Sequence, residues 1–270
     1  MKHAIKSALR ALGLIEPARF LFNSLRLARP SVIAEELRFR IAGPPDGFPL
    51  PPPRLIFLVI GYAWGSVYYS SGRTVVNHML LSLERNGVDP GGFRSILDFG
   101  CGCGRLIRHV HPLGIGSLHG SDYNSELIDW CQRSLQFARF QTNNLTPPLQ
   151  YDDNAFDFIY ARSVFTHLGL DLQKAWMAEL FRVLRPQGIL YFTTHGELLA
   201  RRLGPEEQQA FDAGKLVVHQ RNVEGENLCT AYQSRRFVEE NLTLGNDLIA
   251  FVPGEKGEHL QQDGYILRKH

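Results

Sequence analysis

Ten residues, Ile96-Leu97-Asp98-Phe99-Gly100-Cys101-Gly102-Cys103-Gly104-Arg105, constrain the fold of this chain more than any others. They read as a short apolar strand that runs into three alternating glycines and then into a helix. Glycine adopts positive φ without strain and carries no Cβ, so such a loop turns sharply and lets a ligand lie across the strand end. Asp98 sits on the strand itself, and a second carboxylate, Asp122, closes the next apolar run 18 positions after Gly104. Strand, glycine loop, helix and acid-tipped strand together predict a nucleotide-type site at the carboxyl edge of a parallel sheet.

The pattern continues beyond the loop. Strands are expected at Ser95 to Asp98, Ser117 to Ser121, Phe156 to Tyr160 and Ile189 to Thr193. Helices alternate with them, which implies a mostly parallel sheet covered on both faces. The clearest helix is Asp171 to Leu184, with Asp171 as N-cap and Leu172, Trp176, Leu180 and Val183 as its buried stripe. Asp247 to Val252 and Gly264 to Arg268 are expected to finish the sheet as an antiparallel hairpin. Upstream, Ser71 to Asn86 reads as a helix ended by Gly87, and the proline-rich run Gly43 to Arg54 as a linker or wall.

The rest of the composition excludes more than it selects. A 270-residue chain with a formal net charge of +2 has room for one large domain and an extension, and no charge excess for a polyanionic partner. No nucleic acid is expected. The apolar run Leu55 to Tyr69 is too short, and too broken by Gly61 and Gly65, to cross a membrane. From Met1 to Pro53 eight basic residues stand against four acidic ones, and Ile5, Leu9, Leu12, Phe20, Leu21 and Leu25 recur at helical spacing. Packing on the core with a solvated basic face is the plainer use of that segment, and peripheral membrane contact is the other. Cys101, Cys103, Cys131 and Cys229 lack the spacing of a disulfide framework or a metal site, and with no secretory signal at Met1 to Leu14 a cytoplasmic protein is expected.

From Ser95 to Gly196 the chain resembles the class I S-adenosylmethionine-dependent methyltransferases. Beside the glycine loop, the resemblance is carried by Asn144-Leu145, by Ala155-Phe156-Asp157-Phe158-Ile159-Tyr160, by Arg162-Ser163-Val164-Phe165-Thr166-His167-Leu168, and by Phe181-Arg182-Val183-Leu184-Arg185-Pro186-Gln187-Gly188. In the last of these Gln187 stands where a second glycine is usual. The resemblance implies a Rossmann-like, seven-stranded, mostly parallel α/β sheet with helices on both faces over residues 91–270, preceded by a helical extension over 1–90. It also implies that Asp98 lies near the methionine ammonium, that Gly100, Cys101, Gly102 and Gly104 floor the cofactor, that Asp122 accepts from both ribose hydroxyls, and that Tyr123, Asn144, Leu145 and Arg162 complete the cofactor site. On that reading, loss of the Asp122 side chain weakens the cofactor and leaves the fold intact.

A nicotinamide oxidoreductase uses a similar strand, loop and acid, but its fingerprint needs a small residue where Arg105 stands and has no counterpart to Asp98. A module that holds the cofactor without chemistry stays open. For a methyltransferase, His167 and His195 follow the fourth and fifth strands and are the candidate general bases, His195 slightly preferred because Gly196 leaves room beside it. Glu197, Tyr232 and Gln233 are secondary acceptor-side candidates. The polar insertion Gly196 to Cys229 reads as a cover, with the N-terminal segment as the opposite wall, which favours a small-molecule or glycan-end acceptor. The carboxyl end, Gln262 to Lys269, resembles the last strand of methyltransferases of sugar and secondary-metabolite pathways.

Overall fold

The computed structural model describes residues 20, 22, 30–114, 116–257 and 259–270. The helical periodicity read at Ile5, Leu9, Leu12, Leu21 and Leu25 lies outside these residues. The chain forms two compact units, Met1–Ser71 and Gly72–His270.

In the first unit, helix α1 (Pro30–Ala42) carries one buried acid, Glu36. Its carboxylate accepts the Gly65 and Ser66 amides at 2.9 and 2.8 Å and the Ser66 hydroxyl at 2.7 Å. Those amides are the orphan donors at the start of helix α3 (Gly65–Arg85), so Glu36 caps it from a distance in sequence. Burial alone would raise the Glu36 carboxyl, but the bonds from Ser66 and Gly65 and the nearby Arg40 hold it below its ordinary value. The proline run does not stay extended throughout, because Pro53 opens helix α2 (Pro53–Ile60), where a missing N–H costs nothing. Gly61, at φ 74°, ends it.

The second unit is a seven-stranded sheet in the order β3-β2-β1-β4-β5-β9-β8. Its strands are β1 (Ser95–Phe99), β2 (Ser117–Asp122), β3 (Arg139–Thr142), β4 (Phe156–Ala161), β5 (Leu184–Thr194), β8 (Asp247–Val252) and β9 (Asp263–Arg268). The first five are parallel; β9 runs antiparallel to β5 and β8 antiparallel to β9, the expected hairpin. Strand β4 is buried along nearly its whole length, the signature of a parallel strand covered on both faces. Between the strands lie α4 (Ile107–Val110), α5 (Ser125–Ser134) and α6 (Leu170–Val183).

Three local expectations need correction. Helix α6 is capped by Gly169, and Asp171 lies in its first turn, where it meets the positive end of the helix dipole. Strand β5 begins at Leu184, five residues before the predicted start, because Gln187 adopts φ 64° and the chain turns there without glycine. Its amide donates to the Lys269 carbonyl at 2.9 Å, which holds the strained turn. Strand β3 escaped the sequence reading because it is short and only Phe140 in it is buried.

The insertion after β5 holds α7 (Glu197–Ala200), α8 (Pro205–Asp212) and β6 (Val217–His219). Strand β6 pairs antiparallel with β7 (Thr230–Tyr232) in a separate two-stranded sheet over a small core of Ala200, Phe211 and Val217. Helix α9 (Arg235–Asn241) then leads back to β8, capped by the Ser234 hydroxyl. Among the described residues no helix is long and apolar enough to cross a membrane.

Candidate functional site

Strands β1, β2, β4 and β5 are parallel, so their carboxyl ends share one edge, and the loops that follow them are thrown together there. The glycine loop leaves β1 with Gly100, Gly102 and Gly104 at φ 74°, 55° and 76°, a path other residues follow only under strain. At two of these positions the close neighbour is protein: a Cβ at Gly100 would overlap Val164, and one at Gly104 would overlap Leu135. The glycines therefore let the loop lie flat against the β4 loop and the end of α5. The Ser121 carbonyl receives the Gly100 and Cys101 amides at 2.7 and 3.0 Å.

The two carboxylates differ. Asp98 is 1% exposed, and its Oδ2 has no hydrogen-bond partner. Tyr160, its register neighbour on β4, is likewise fully buried. Burial pushes the Asp98 carboxyl up to about 7, against the pull of the Tyr160 hydroxyl and the Arg105 guanidinium. An orphaned buried acceptor of this kind is costly unless something cationic or hydrogen-bonding meets it. Asp122, by contrast, is anchored: Oδ2 accepts the Gly102 amide and Oδ1 the Asn124 amide, both at 2.9 Å. Burial raises its pKa, and the amides of Asn124, Gly102 and Tyr123 oppose the rise.

Beyond Asp122, the exposed side chains of Tyr123 and Leu145 converge on one backbone segment of the insertion. A Cβ on Gly225 would stand 2.7 Å from Leu145 Cδ1 and 3.5 Å from Tyr123 Cζ. Asn144 is exposed; its neighbour Asn143, which sequence reasoning passed over, is wired in through the Ser121 hydroxyl at 2.5 Å and the Asp122 carbonyl at 3.1 Å. The Leu145 carbonyl is taken by the Trp176 indole N–H at 2.9 Å. Cys101 and Cys131 both direct their thiols at the Gly102 carbonyl, at 3.6 and 3.5 Å, and all four cysteines are free and buried. Among the described residues no group of three metal-ligating side chains forms.

On the other side of the edge, His167 and His195 come together with ring centroids 6.2 Å apart. His167 Nδ1 lies 2.7 Å from the Cys229 carbonyl, which fixes the proton on Nδ1 and leaves the lone pair on Nε2. The Gly225 amide donates to the His167 carbonyl at 2.9 Å, so the insertion grips this histidine at two points. Burial lowers the His167 pKa, with the Cys229 bond opposing. For His195 burial, then the charges of His167 and Arg162, bring the pKa down to about 3, and Nδ1 is buried without a partner. The Tyr232 ring lies 5.5 Å from that of His195, tilted by 44°, and its backbone bridges to it.

Residues 97–192 match the methyltransferase domain family. Two relatives are similar over comparable stretches: the sterol 24-C-methyltransferase erg6 of Schizosaccharomyces pombe, 26% identical over 47% of this chain and 36% of its own length, and the malonyl-[acyl-carrier protein] O-methyltransferase of Salmonella typhimurium, 31% identical over 45% of each chain. The matched stretch spans less than half the length of either relative. The fold is shared with the glycopeptide N-methyltransferase MtfA, solved with the S-adenosylmethionine analogue sinefungin, at a TM-score of 0.52 and 12% identity over 74% of this chain and 87% of that one.

Over residues 97–192, then, the chain matches a methyltransferase domain. Its sheet order and mostly parallel strands match the Rossmann-like fold of its methyltransferase neighbours, and S-adenosylmethionine, whose analogue sinefungin was solved with MtfA, is the ligand to set against the site. The donor set suits such a ligand: a buried carboxylate with one oxygen unpartnered for an ammonium, a second carboxylate with lone pairs left for hydroxyls, and an apolar pair for a base. Two expectations about this methyltransferase domain change with the geometry. The room beside Gly196 is filled, since a Cβ there would overlap the Asp263 carboxylate, so the glycine serves β9 and not an acceptor. Gln233 is fully buried with Nε2 on the Phe165 carbonyl at 2.6 Å, which makes it part of the loop's frame.

Proposed function

We propose that the protein transfers a methyl group from S-adenosylmethionine to a small-molecule or glycan-type acceptor by direct displacement, with residues 91–270 as the catalytic domain and 1–90 as an extension to it. The observation that carries this reading is the pair Asp98 and Asp122, one with a buried oxygen left unpartnered and one anchored, on the ends of adjacent strands joined by a glycine loop. When bound, S-adenosylmethionine supplies a methyl already activated on a sulfonium. The chain's own task is then to align a nucleophile and keep out water. Asp98 is suited to the ammonium, Asp122 to the ribose hydroxyls, and Tyr123, Asn144, Leu145 and the Cys101 amide side of the loop to the adenosine end.

For a hydroxyl acceptor a base is needed, and His167 suits the role better than His195. Its Nδ1–H is held by the Cys229 carbonyl, so Nε2 keeps its lone pair on a ring of fixed orientation, the arrangement that a general base requires. A His195 imidazole with a pKa near 3 is a weak base at working pH. The relatives are named for carbon and oxygen acceptors, so the attacked atom is left to the site itself. Four free, buried thiols fit a reducing compartment, and we place the enzyme in the cytoplasm.

Calorimetry tests the reading: S-adenosylhomocysteine should bind in the micromolar range or tighter, and nicotinamide dinucleotides should not. Tight NAD binding with none of S-adenosylhomocysteine would reverse it.

A further inference from the structure

Arg162 follows β4 directly, and neutral groups hold its guanidinium at the strand ends. Nη1 donates to Thr193 Oγ1 at 3.1 Å and Nη2 to the His259 carbonyl at 2.7 Å. Behind it lies a closed ring of bonds. Thr193 Oγ1 also accepts the Ser163 amide at 3.0 Å and donates to Gln262 Oε1 at 2.7 Å, while Gln262 Nε2 donates to Ser163 Oγ at 2.7 Å. Ser163 is held at φ 66°, a conformation that costs a non-glycine residue about 1–2 kcal/mol, and the ring keeps it there.

Among the described residues no carboxylate pairs with Arg162. Among the described residues, two of its five N–H donors have partners. Burial lowers its pKa to about 10, Tyr191 opposes, and the like charge of Arg105 adds to the fall. Its charge is also felt by His195. The guanidinium is thus a cation positioned at the ends of β4 and β5 by Thr193 and the His259 carbonyl, and its planar fork matches a carboxylate or phosphate.

We propose that Arg162 is the receptor for a carboxylate or phosphate group on the methyl acceptor, so that this enzyme's acceptors are anions. The inference rests on the methyltransferase reading of the site. An anion seated on the fork would neutralise a charge that weakens the His195 imidazole, and so would tie acceptor binding to the basicity of the histidine pair. The methionine carboxylate of the cofactor has the same chemistry, and the family resemblance put Arg162 in the cofactor site; here we reassign the residue to the acceptor, and the test separates the two sources.

Protein saturated with S-adenosylhomocysteine is titrated with malonate or inorganic phosphate, with the histidine ring signals followed by NMR and unfolding by temperature. Millimolar anion should shift the His195 and His167 signals and raise Tm; Arg162→Gln should abolish the response, and Arg162→Lys should weaken it at least about threefold, since a point charge cannot make the bidentate contact. Affinity for S-adenosylhomocysteine, compared with 5′-methylthioadenosine, which lacks the amino-acid part, should change by less than about threefold in either variant. The proposal is overturned if the saturated wild-type protein shows no anion response. It is also overturned if Arg162→Gln, or Arg162→Lys should the first not fold, weakens S-adenosylhomocysteine by roughly 10-fold or more and spares methylthioadenosine, because the anion is then the cofactor's own. A wild-type protein that binds no S-adenosylhomocysteine at all sinks the methyltransferase reading and this inference with it.

Discussion

The two halves of the strand-end edge are made in different ways. On the β1–β2 side, position is set by the backbone: three glycines at positive φ, two amides on the Ser121 carbonyl, and two amides on the Asp122 carboxylate. On the β4–β5 side it is set by side chains that reach across the fold, His167 to the Cys229 carbonyl, Arg162 to the His259 carbonyl and Gln262 to Ser163. A site fixed by backbone tolerates little change and suits a ligand that does not vary. One fixed by side chains that reach across the fold can be rebuilt by substitution, which is what acceptor specificity needs.

The sharpest break of this comparison is at the histidines. With a hydroxyl acceptor, His167→Ala should lower turnover by about 10²- to 10⁴-fold, while S-adenosylhomocysteine affinity stays within a few-fold. His195→Ala should cost turnover roughly 10-fold or less and show itself mainly as a lower Tm. Equal and small losses at both positions would remove the base and leave alignment alone to carry the reaction.

Two alanine substitutions at glycine should separate the halves. Gly100→Ala forces a side chain into a left-handed position and against Val164, a combined cost of about 2–5 kcal/mol, and S-adenosylhomocysteine binding should collapse with it. Gly196→Ala meets Asp263, and should cost about 1–3 kcal/mol of stability while cofactor binding survives. If both variants lose the cofactor alike, the halves are one unit.

Asp122→Ala should weaken S-adenosylhomocysteine by about 10- to 150-fold through its lost ribose bonds. The sequence-based expectation of an unchanged fold is revised, since the Gly102 and Asn124 amides lose their acceptor as well and Tm should fall measurably.

The smallest effect is one of pH. The Asp98 carboxyl, raised from 3.8 to about 7, holds its proton more tightly folded than unfolded. Its contribution to stability is therefore full below about pH 4 and is lost as pH rises through 7. The ligand-free protein should lose stability, of the order of a few kcal/mol, over that interval, and Asp98→Asn should flatten the slope. Affinity for the ammonium-bearing ligand should move the other way, rising roughly 10-fold between pH 6 and 8 and then levelling, as calorimetry at each pH would read.

How far the sequence could be read tracks the same division. Gly100, Gly102, Gly104, Asp98 and Asp122 were legible because each answers a local requirement of a strand-to-helix turn, and such requirements leave their mark within a few residues. The alternation of strands and helices announced the sheet for the same reason, apart from short, largely exposed β3. Gln187 shows the limit of such rules, since the turn formed with a residue that no turn preference selects, held by the carbonyl of Lys269 just after β9.

What the sequence determined by itself, then, is the sheet, the cofactor loop and the acids at its ends, because periodicity and glycine placement are properties of neighbouring residues. Only the tertiary structure decided which nitrogen of His167 carries the lone pair, that Gly196 serves Asp263, and that Arg162 stands among neutral partners. Those facts depend on contacts between residues 62, 67, 31 and 97 positions apart. A hydrogen bond over such a span leaves no pattern in the chain between its ends; it exists only once the sheet has brought the ends of β4, β5 and β9 to one edge.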